Sequence, residues 1–511
     1  MRRTLSIIGP LLLLTLAAAQ TSYQERYRPQ VHFSPREHWT NDPNGLVYFH
    51  GEYHLFFQYN PYGDQWGHMS WGHAVSPDLL HWRELPVAIP EMGNEMVFTG
   101  SVVVDSKNTS GFCTARNPCL VAIYTGHRIS GDEVRQTQNL AYSLDDGRTW
   151  TRYAQNPVLD LHMADFRDPS VSWDEEQYRW VMAVSLPKQH KVRFYSSPDL
   201  KNWSQLSDFG PAGDVDGDWE CPDLLHLPPE HGSGDAWVLK VGLNPGAPQG
   251  GSGEQYFLGN FDGKSFTVFA LSTYAMSRRQ AVPYGIGSHG WTNYGKDDYC
   301  AISFNGLPPH EKPVLIGWMN NWQYASELPT SPWRGQMSIP RRLSLHKDHA
   351  GLALKQEPIT APLRAEHRSI RQTKDTEISH AEETPFELEL HFEHSSEPVF
   401  GIRLYTDDQH WTEIGFDRAR QEFYTDRTKS GIAITPAFPT KTTAPLAENR
   451  PYDLKLIVDR SSIEAYAQDG TIAMTNLIFP TSSNSRVVLF STSGKPVAVT
   501  GDLWKLRSIW K

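Results

Sequence analysis

The stretch Ser76-Pro77-Asp78-Leu79-Leu80-His81-Trp82 returns as Ser197-Pro198-Asp199-Leu200-Lys201-Asn202-Trp203. Looser copies stand at Ser143-Leu144-Asp145-Asp146-Gly147-Arg148-Thr149-Trp150 and Asn260-Phe261-Asp262-Gly263-Lys264-Ser265-Phe266. In each, a strand-like run enters an Asp-centred turn and returns on an aromatic residue. Asp suits such a turn because its side chain hydrogen-bonds backbone two residues on. The copies lie roughly 50 to 70 residues apart, somewhat above the length of common propeller blades. That self-similarity predicts a radial array of small antiparallel sheets. About 310 residues divided by a spacing of about 60 gives five blades.

Three of the copies are preceded, about 35 to 45 residues upstream, by a short acidic motif. Trp39-Thr40-Asn41-Asp42-Pro43-Asn44-Gly45 comes before Trp82, Phe166-Arg167-Asp168-Pro169 before Trp203, and Trp219-Glu220-Cys221-Pro222-Asp223 before Phe266. Before Trp150 stands Phe98-Thr99-Gly100-Ser101, with hydroxyls in place of an acid. Taken alone, Asn-Asp-Pro is a turn capped by its own side chain. Unrelated turn acids, however, have no reason to keep one phase of a repeat. Blade-opening strands line a propeller's central channel, so Asp42, Asp168 and Glu220 are expected to converge at one end of it.

Composition bounds the remainder. A chain of 511 residues exceeds one ordinary core and predicts two domains. Aromatics at 12%, with 38 Gly and 36 Pro, suit a turn-rich all-β protein. A net charge of −11 argues against a nucleic-acid partner. Arg2-Arg3, an apolar run from Leu5 to Leu16 and Ala17-Ala18-Ala19 form a signal peptide over 1–19, too short to span a bilayer. No later segment reads as membrane-spanning, so a secreted protein is expected, with glycosylation acceptors at Asn108 and Asn202. Among four cysteines, Cys113 and Cys119 flank a short turn and read as a local staple, whereas Cys221 and Cys300 are expected free. No Cys or His pair has ligand spacing beside another such pair, so neither metal nor cofactor enters the reading. The propeller is expected over 20–345, a linker over 346–366 and a β-sandwich over 367–511. In the last, Phe386, Leu388, Leu390 and Phe392 alternate with polar residues, and strands flank Asp459-Arg460-Ser461-Ser462.

Three convergent acids without a metal motif suit acid–base work on a neutral polar substrate. Trp39, Trp66, Trp71, Trp318 and Trp322 offer faces on which sugar rings stack. Glycoside cleavage uses one carboxylate as nucleophile and one protonated carboxyl as acid. Glu220, between Trp219 and Cys221, is expected in an apolar setting that keeps its proton. Asp42, between the amides of Asn41 and Asn44, is expected ionised and nucleophilic. Asp168 beside Arg167 is expected charged, and Arg167 is placed to hold substrate hydroxyls.

These motifs resemble the three signature blocks of the family 32 glycoside hydrolases, which include invertases, exo-inulinases, levanases and fructan exohydrolases. The resemblance spans nearly the whole mature chain and takes in Trp66-Gly67, Phe98-Thr99-Gly100-Ser101, Gly317-Trp318-Met319-Asn320-Asn321-Trp322 and Asp459-Arg460-Ser461-Ser462-Ile463-Glu464. The stretch at 317–322 and Arg507-Ser508-Ile509-Trp510 are most similar to fungal exo-inulinases. It implies a five-bladed propeller joined to a β-sandwich and a retaining release of terminal β-D-fructofuranosyl units from sucrose, inulin or levan. Asp42 is then the nucleophile, Glu220 the acid–base and Asp168 the stabiliser of the transition state. Asn41, Gln58, Trp66, Thr99, Gly100, Ser101, Arg167 and Trp318 would serve the fructose pocket, with Trp318 and Trp322 both open as the stacking ring. Strand pattern alone makes Gln58 and Ser101 ordinary polar positions, and Trp66 and Trp318 as readily core as site. Asn293 and Asp298 depart from the family pattern and put aglycone contacts in doubt. A fructosyltransferase and a non-catalytic fructan-binding protein are the rival readings.

Overall fold

In the computed structural model, which describes residues 23–510 apart from 115–116, 231–234, 270–289, 349–350, 373–376, 394–396, 483 and 496, three of the four Asp-centred turns share one hydrogen-bond pattern and the turn at Asp145 is a longer variant of it. The expected signal peptide, residues 1–19, lies outside the described residues. Asp78 accepts N–H bonds from Leu80 and His81 (3.1 and 2.9 Å), Asp199 from Lys201 and Asn202 (3.0 and 2.8 Å), and Asp262 from Lys264 and Ser265 (2.8 and 2.7 Å). Asp145 accepts from Thr149 N–H (2.8 Å). The residue after each Asp is left-handed: Leu79 at φ 70°, Asp146 at 55°, Leu200 at 64° and Gly263 at 83°. Each turn joins the third strand of a sheet to the fourth.

Five sheets follow one another up to residue 358, each led by an inner strand: β1 (His38–Phe49), β2 (Glu95–Asp105), β3 (Arg167–Asp174), β4 (Asp218–Leu227) and β5 (Tyr299–Ser303). Each inner strand touches the next, and β5 returns to β1, which closes a propeller ring. The pair Trp333–Arg334 runs parallel to His38–Trp39 and completes the first sheet from a late part of the chain.

Every inner strand is bulged at the same depth. Three residues advance on it while two advance on its neighbour, between Thr40 and Pro43, Val97 and Gly100, Arg167 and Ser170, Glu220 and Asp223, and Tyr299 and Ile302. Bulges re-aim side chains. In β3, β4 and β5 the bulged residue is left-handed, Asp168 at φ 66°, Cys221 at 48° and Cys300 at 50°. Residues with a Cβ adopt that conformation at a cost, which the surrounding sheets must override.

Beyond the ring, two six-stranded sheets face each other as a β-sandwich around Leu388, Leu390, Ile402, Ile414, Phe416, Leu454 and Leu456. The expected linker 346–366 is mostly strand. Arg341–Asp348 and Gly351–Pro358 form the outer hairpin of the fifth sheet, and the first sandwich strand begins at Arg364. The mixed character of that segment in the sequence reflects a half-exposed outer hairpin.

The two domains are clamped by buried charge. The N-terminal segment ahead of β1 lies on the sandwich hairpin, where Asp459 accepts N–H bonds from Gln30 and Val31 (2.8 and 2.9 Å). His32 lies between Asp459 (2.8 Å) and Glu464 (3.2 Å), all three buried. On the other side, Asn293 exchanges bonds with Thr475, and Asp297 pairs with Arg427 (2.6 Å) and accepts from Leu477 N–H (2.8 Å). Asp298 pairs with Arg341 (2.9 Å). Asn293 is therefore a buried residue of the domain interface, whereas Asp298 is a buried partner of Arg341 within the propeller.

Burial opposes the charge on His32, but the Asp459 and Glu464 carboxylates outweigh it and push its pKa up to about 9. A folded value above the ordinary one of about 6.5 means that the clamp contributes fully below about pH 6.5 and is lost as pH rises through about 9. His32→Gln should lower stability near pH 6 by about 3 to 5 kcal/mol, the usual cost of stranding buried charge. It should also flatten the decline in melting temperature between about pH 6.5 and 9.5. A variant that keeps the native decline in thermal melts would assign that decline to another group.

Candidate active site

The bulges deliver side chains from the five inner strands toward the ring axis, where several touch. Thr99 Oγ1 donates to Asp42 Oδ2 (2.7 Å), and Cys221 N–H donates to Asp168 Oδ2 (3.0 Å). Cys221 is bonded to Cys300, and its sulfur lies 3.9 Å from Asp42 Oδ2. Glu220 stands one residue before its bulge. By the bulge register the three acids stand at successive positions, Glu220 just before its bulge, Asp168 first and Asp42 second of the two bulged residues, so the single phase expected of them does not hold, and Cys221 takes the place of Asp168 in β4.

Glu220 belongs to a second tier made by the residues that precede the bulges in β3, β4 and β5. Arg167 reaches Glu220 Oε1 with Nε and Nη2 (both 3.0 Å), and the Tyr299 hydroxyl donates to Oε2. The expected apolar setting for Glu220 is not what the structure shows. Trp219 turns into the core against Phe209 and Phe257, because successive strand residues face opposite ways.

A cavity of about 260 Å³ opens above both tiers. Asp42, Asp168, Glu220, Asn41, Gln58, Trp66, Thr99 and Arg167 border it, together with Phe98, Asn244 and Trp322. Trp66 is 45% exposed and stands at the rim. Gly100 and Ser101 lie lower and border a second cavity of about 300 Å³ along the channel. Ser101 Oγ accepts from Val171 N–H (3.0 Å), and a Cβ on Gly100 would meet Ile123 O at 2.1 Å, so both serve sheet packing. Trp318 is fully buried, packed between Trp39 (6.1 Å) and Trp322 (4.8 Å). It is Trp322 that reaches the cavity, and Trp318 backs it. Tyr299 and Asn244 were not legible in the sequence. Tyr299 opens an inner strand with neither an acid nor a downstream Asp turn, and Asn244 ends a second strand whose position shows only once the sheet is built.

Burial also changes the expected ionisation of two acids. It pushes Asp42 up to about 6, opposed by the hydrogen bonds from Thr99 and Asn41 and reinforced by Glu220. Trp39 Nε1 holds the Asn41 carbonyl (2.8 Å), which turns the amide donor toward Asp42. Asn44 makes no such bond; its amide faces Gln58 and Trp71. Burial likewise raises Asp168, with Arg167 pulling it back and the charges of Glu220 and Asp42 raising it further. Arg167 stays cationic, because Glu220, Asp168 and Asp165 outweigh its desolvation.

The family model described as glycosyl hydrolases family 32 N-terminal domain matches residues 32–358, and the family 32 C-terminal model matches 359–505. The chain is 42% identical to the levanase of Bacillus subtilis over 98% of its own length and 74% of the levanase. It is 40% identical to the extracellular exo-inulinase of Aspergillus awamori over 96% of each. The crystal structure of the Aspergillus awamori exo-inulinase superposes with a TM-score of 0.87 at 39% identity, covering 96% of this chain and all of that one. Thr99→Val, which removes a donor to a carboxylate, should raise the Asp42 carboxyl titration by about one pH unit. An unshifted titration, followed by carbon NMR of that carboxyl, would remove Thr99 from its control.

Proposed function

The chain belongs to glycosyl hydrolase family 32, and on that footing we propose that it is a secreted exo-acting β-fructofuranosidase in which Asp42, Glu220 and Asp168 carry a retaining hydrolysis of terminal β-D-fructofuranosides. The observation that carries this reading is Asp42 and Glu220 facing one small cavity from different sheets, with Arg167 and Tyr299 fixing Glu220. In the first step the Asp42 carboxylate attacks the anomeric carbon, while Glu220 gives its proton to the departing oxygen. A fructosyl ester on Asp42 results. In the second step Glu220 takes a proton from water, which attacks the same carbon and frees fructose with its configuration retained. Asp168 accepts bonds from fructose hydroxyls, and Arg167 balances the charge of the carboxylates beside it.

The size of the cavity supports attack at chain ends. At about 260 Å³ it lies at the small end of ligand pockets. It suits one sugar ring whose neighbour lies outside against Trp66. Secretion is supported by the apolar leader and by the relatives described as extracellular exo-inulinases. Sucrose, inulin and levan all present the terminal unit that the pocket would take.

Five measurements test the reading. Asp42→Asn should lower kcat by about 10⁴-fold or more with the fold intact by circular dichroism; substantial residual turnover would sink the nucleophile assignment. Glu220→Gln should lose about 10²- to 10⁴-fold on sucrose but far less on the first step of an aryl fructoside, whose leaving group needs no proton. Because Asp42 must be ionised, kcat/KM should fall as pH drops through about 6. In a time course on inulin, fructose alone marks exo-hydrolysis, and mixed oligomers would overturn it. Longer oligomers formed at high sucrose would mark a transferase.

A further inference from the structure

Cys221 and Cys300 are the bulged, left-handed residues of β4 and β5, and each adjoins a residue that shapes the upper tier: Glu220 precedes one and Tyr299 the other. Their Cα atoms are 5.3 Å apart, within the range a disulfide spans. The two strands belong to different sheets and share no ladder; the Tyr299 hydroxyl on Glu220 and Ser303 N–H on Asp223 (3.0 Å) are hydrogen bonds between them. The disulfide is therefore the covalent tie between the strand that carries Glu220 and the strand that carries its Tyr299 partner. It differs from Cys113–Cys119, a staple six residues long within the second sheet's loop.

The bond also settles what the carboxylates receive. Cys221 Sγ lies 3.9 Å from Asp42 Oδ2 and 3.8 Å from Asp168 Oδ2. A disulfide sulfur has no proton to donate, so neither contact is a hydrogen bond in the oxidised protein. A thiol at the same place would donate to one of the two acids and stabilise its charged form. The charged and titratable groups around the pair are Asp42 on β1, Arg167 and Asp168 on β3, Glu220 and Asp223 on β4, Tyr299 on β5 with Asp298 before it, and Lys240, Glu254 and Arg341 behind them. Against the nearby carboxylates a freed Cys221 stays a neutral thiol.

We propose that the Cys221–Cys300 disulfide is a positioning bond of the active site, and that its reduction by a small dithiol slows turnover. The inference rests on the β-fructosidase reading above. The disulfide takes two electrons and two protons from the dithiol, which becomes a cyclic disulfide, and the protein gains two thiols. Cys221 borders the channel cavity of about 300 Å³, which gives a small reductant a way in below the substrate pocket. Freed of the tie, β4 and β5 no longer hold Glu220 and Tyr299 in one arrangement, while the Trp66 and Trp322 contacts with substrate remain.

The test uses the full-length secreted protein and sucrose. Thiol titration under denaturing conditions should find no free cysteine before treatment. Dithiol should lower kcat by about tenfold or more with KM within about twofold, and reoxidation should restore it. Cys113→Ala/Cys119→Ala should keep this sensitivity. Cys221→Ala/Cys300→Ala should show the low kcat from the start and ignore dithiol. The acid limb of kcat/KM should lie lower in Cys300→Ala, which keeps a donor beside Asp42, than in the double variant. Two free thiols in the untreated protein, or full kcat in the reduced protein or the double variant, would overturn the proposal. If the double variant fails to fold, the dithiol arm on the native chain decides. Failure of the untreated protein to release fructose would instead refute the hydrolase reading.

Discussion

Closing five sheets around one axis brings one bulged residue from each inner strand into the same few ångströms of space. Carboxylates gathered there lose their water, and each raises the cost of ionising the next. The site answers with a single guanidinium, Arg167, with backbone and hydroxyl donors from neighbouring sheets, and with a neutral disulfide where two further side chains would otherwise enter. Asp42 and Asp168 sit high in pKa as a direct result. Division of labour between acids is thus a property of ring closure before it is a property of any one residue.

The sandwich is joined to this arrangement mechanically. The segment Asn293 to Asp298 is pinned to the sandwich strand Ile472–Leu477 and then runs without a break into Tyr299 and Cys300. Gly295 passes so close to Thr475 that a Cβ would meet its backbone oxygen at 2.2 Å. The second domain therefore sets the height at which β5 enters the ring. The acidic hairpin at Asp459 to Glu464 holds the entry of β1 through His32 in the same way. Both ends of the ring's seam rest on one partner.

What the sequence made legible follows from which interactions are local. The Asp-centred turns close their bonds within a few residues, so their repetition exposed the radial fold and the placement of Asp42 and Asp168. Glu220 was found with them, although the three acids stand at successive positions about their bulges, because Trp-Glu-Cys-Pro sits near enough to the right spacing. The neighbours that set protonation come from other strands. Asn44 flanks Asp42 in sequence but turns away, whereas Thr99 arrives from the next sheet. The same distance in sequence hid Tyr299, the Cys221–Cys300 bond and the burial of Trp318 behind Trp322.

The pairing of Trp333–Arg334 with His38–Trp39 adds a consequence of chain order. A ribosome delivers residue 38 long before residue 333, so the first sheet waits with an open flank while three others are made and the fifth is half made. During synthesis that flank is an unpaired strand edge, the kind that other chains can join. Seam closure of this type is a late, long-range event, and it couples the completion of the ring to the arrival of its last sheet. The reactive carboxylates are then drawn together only when nearly the whole propeller has been made.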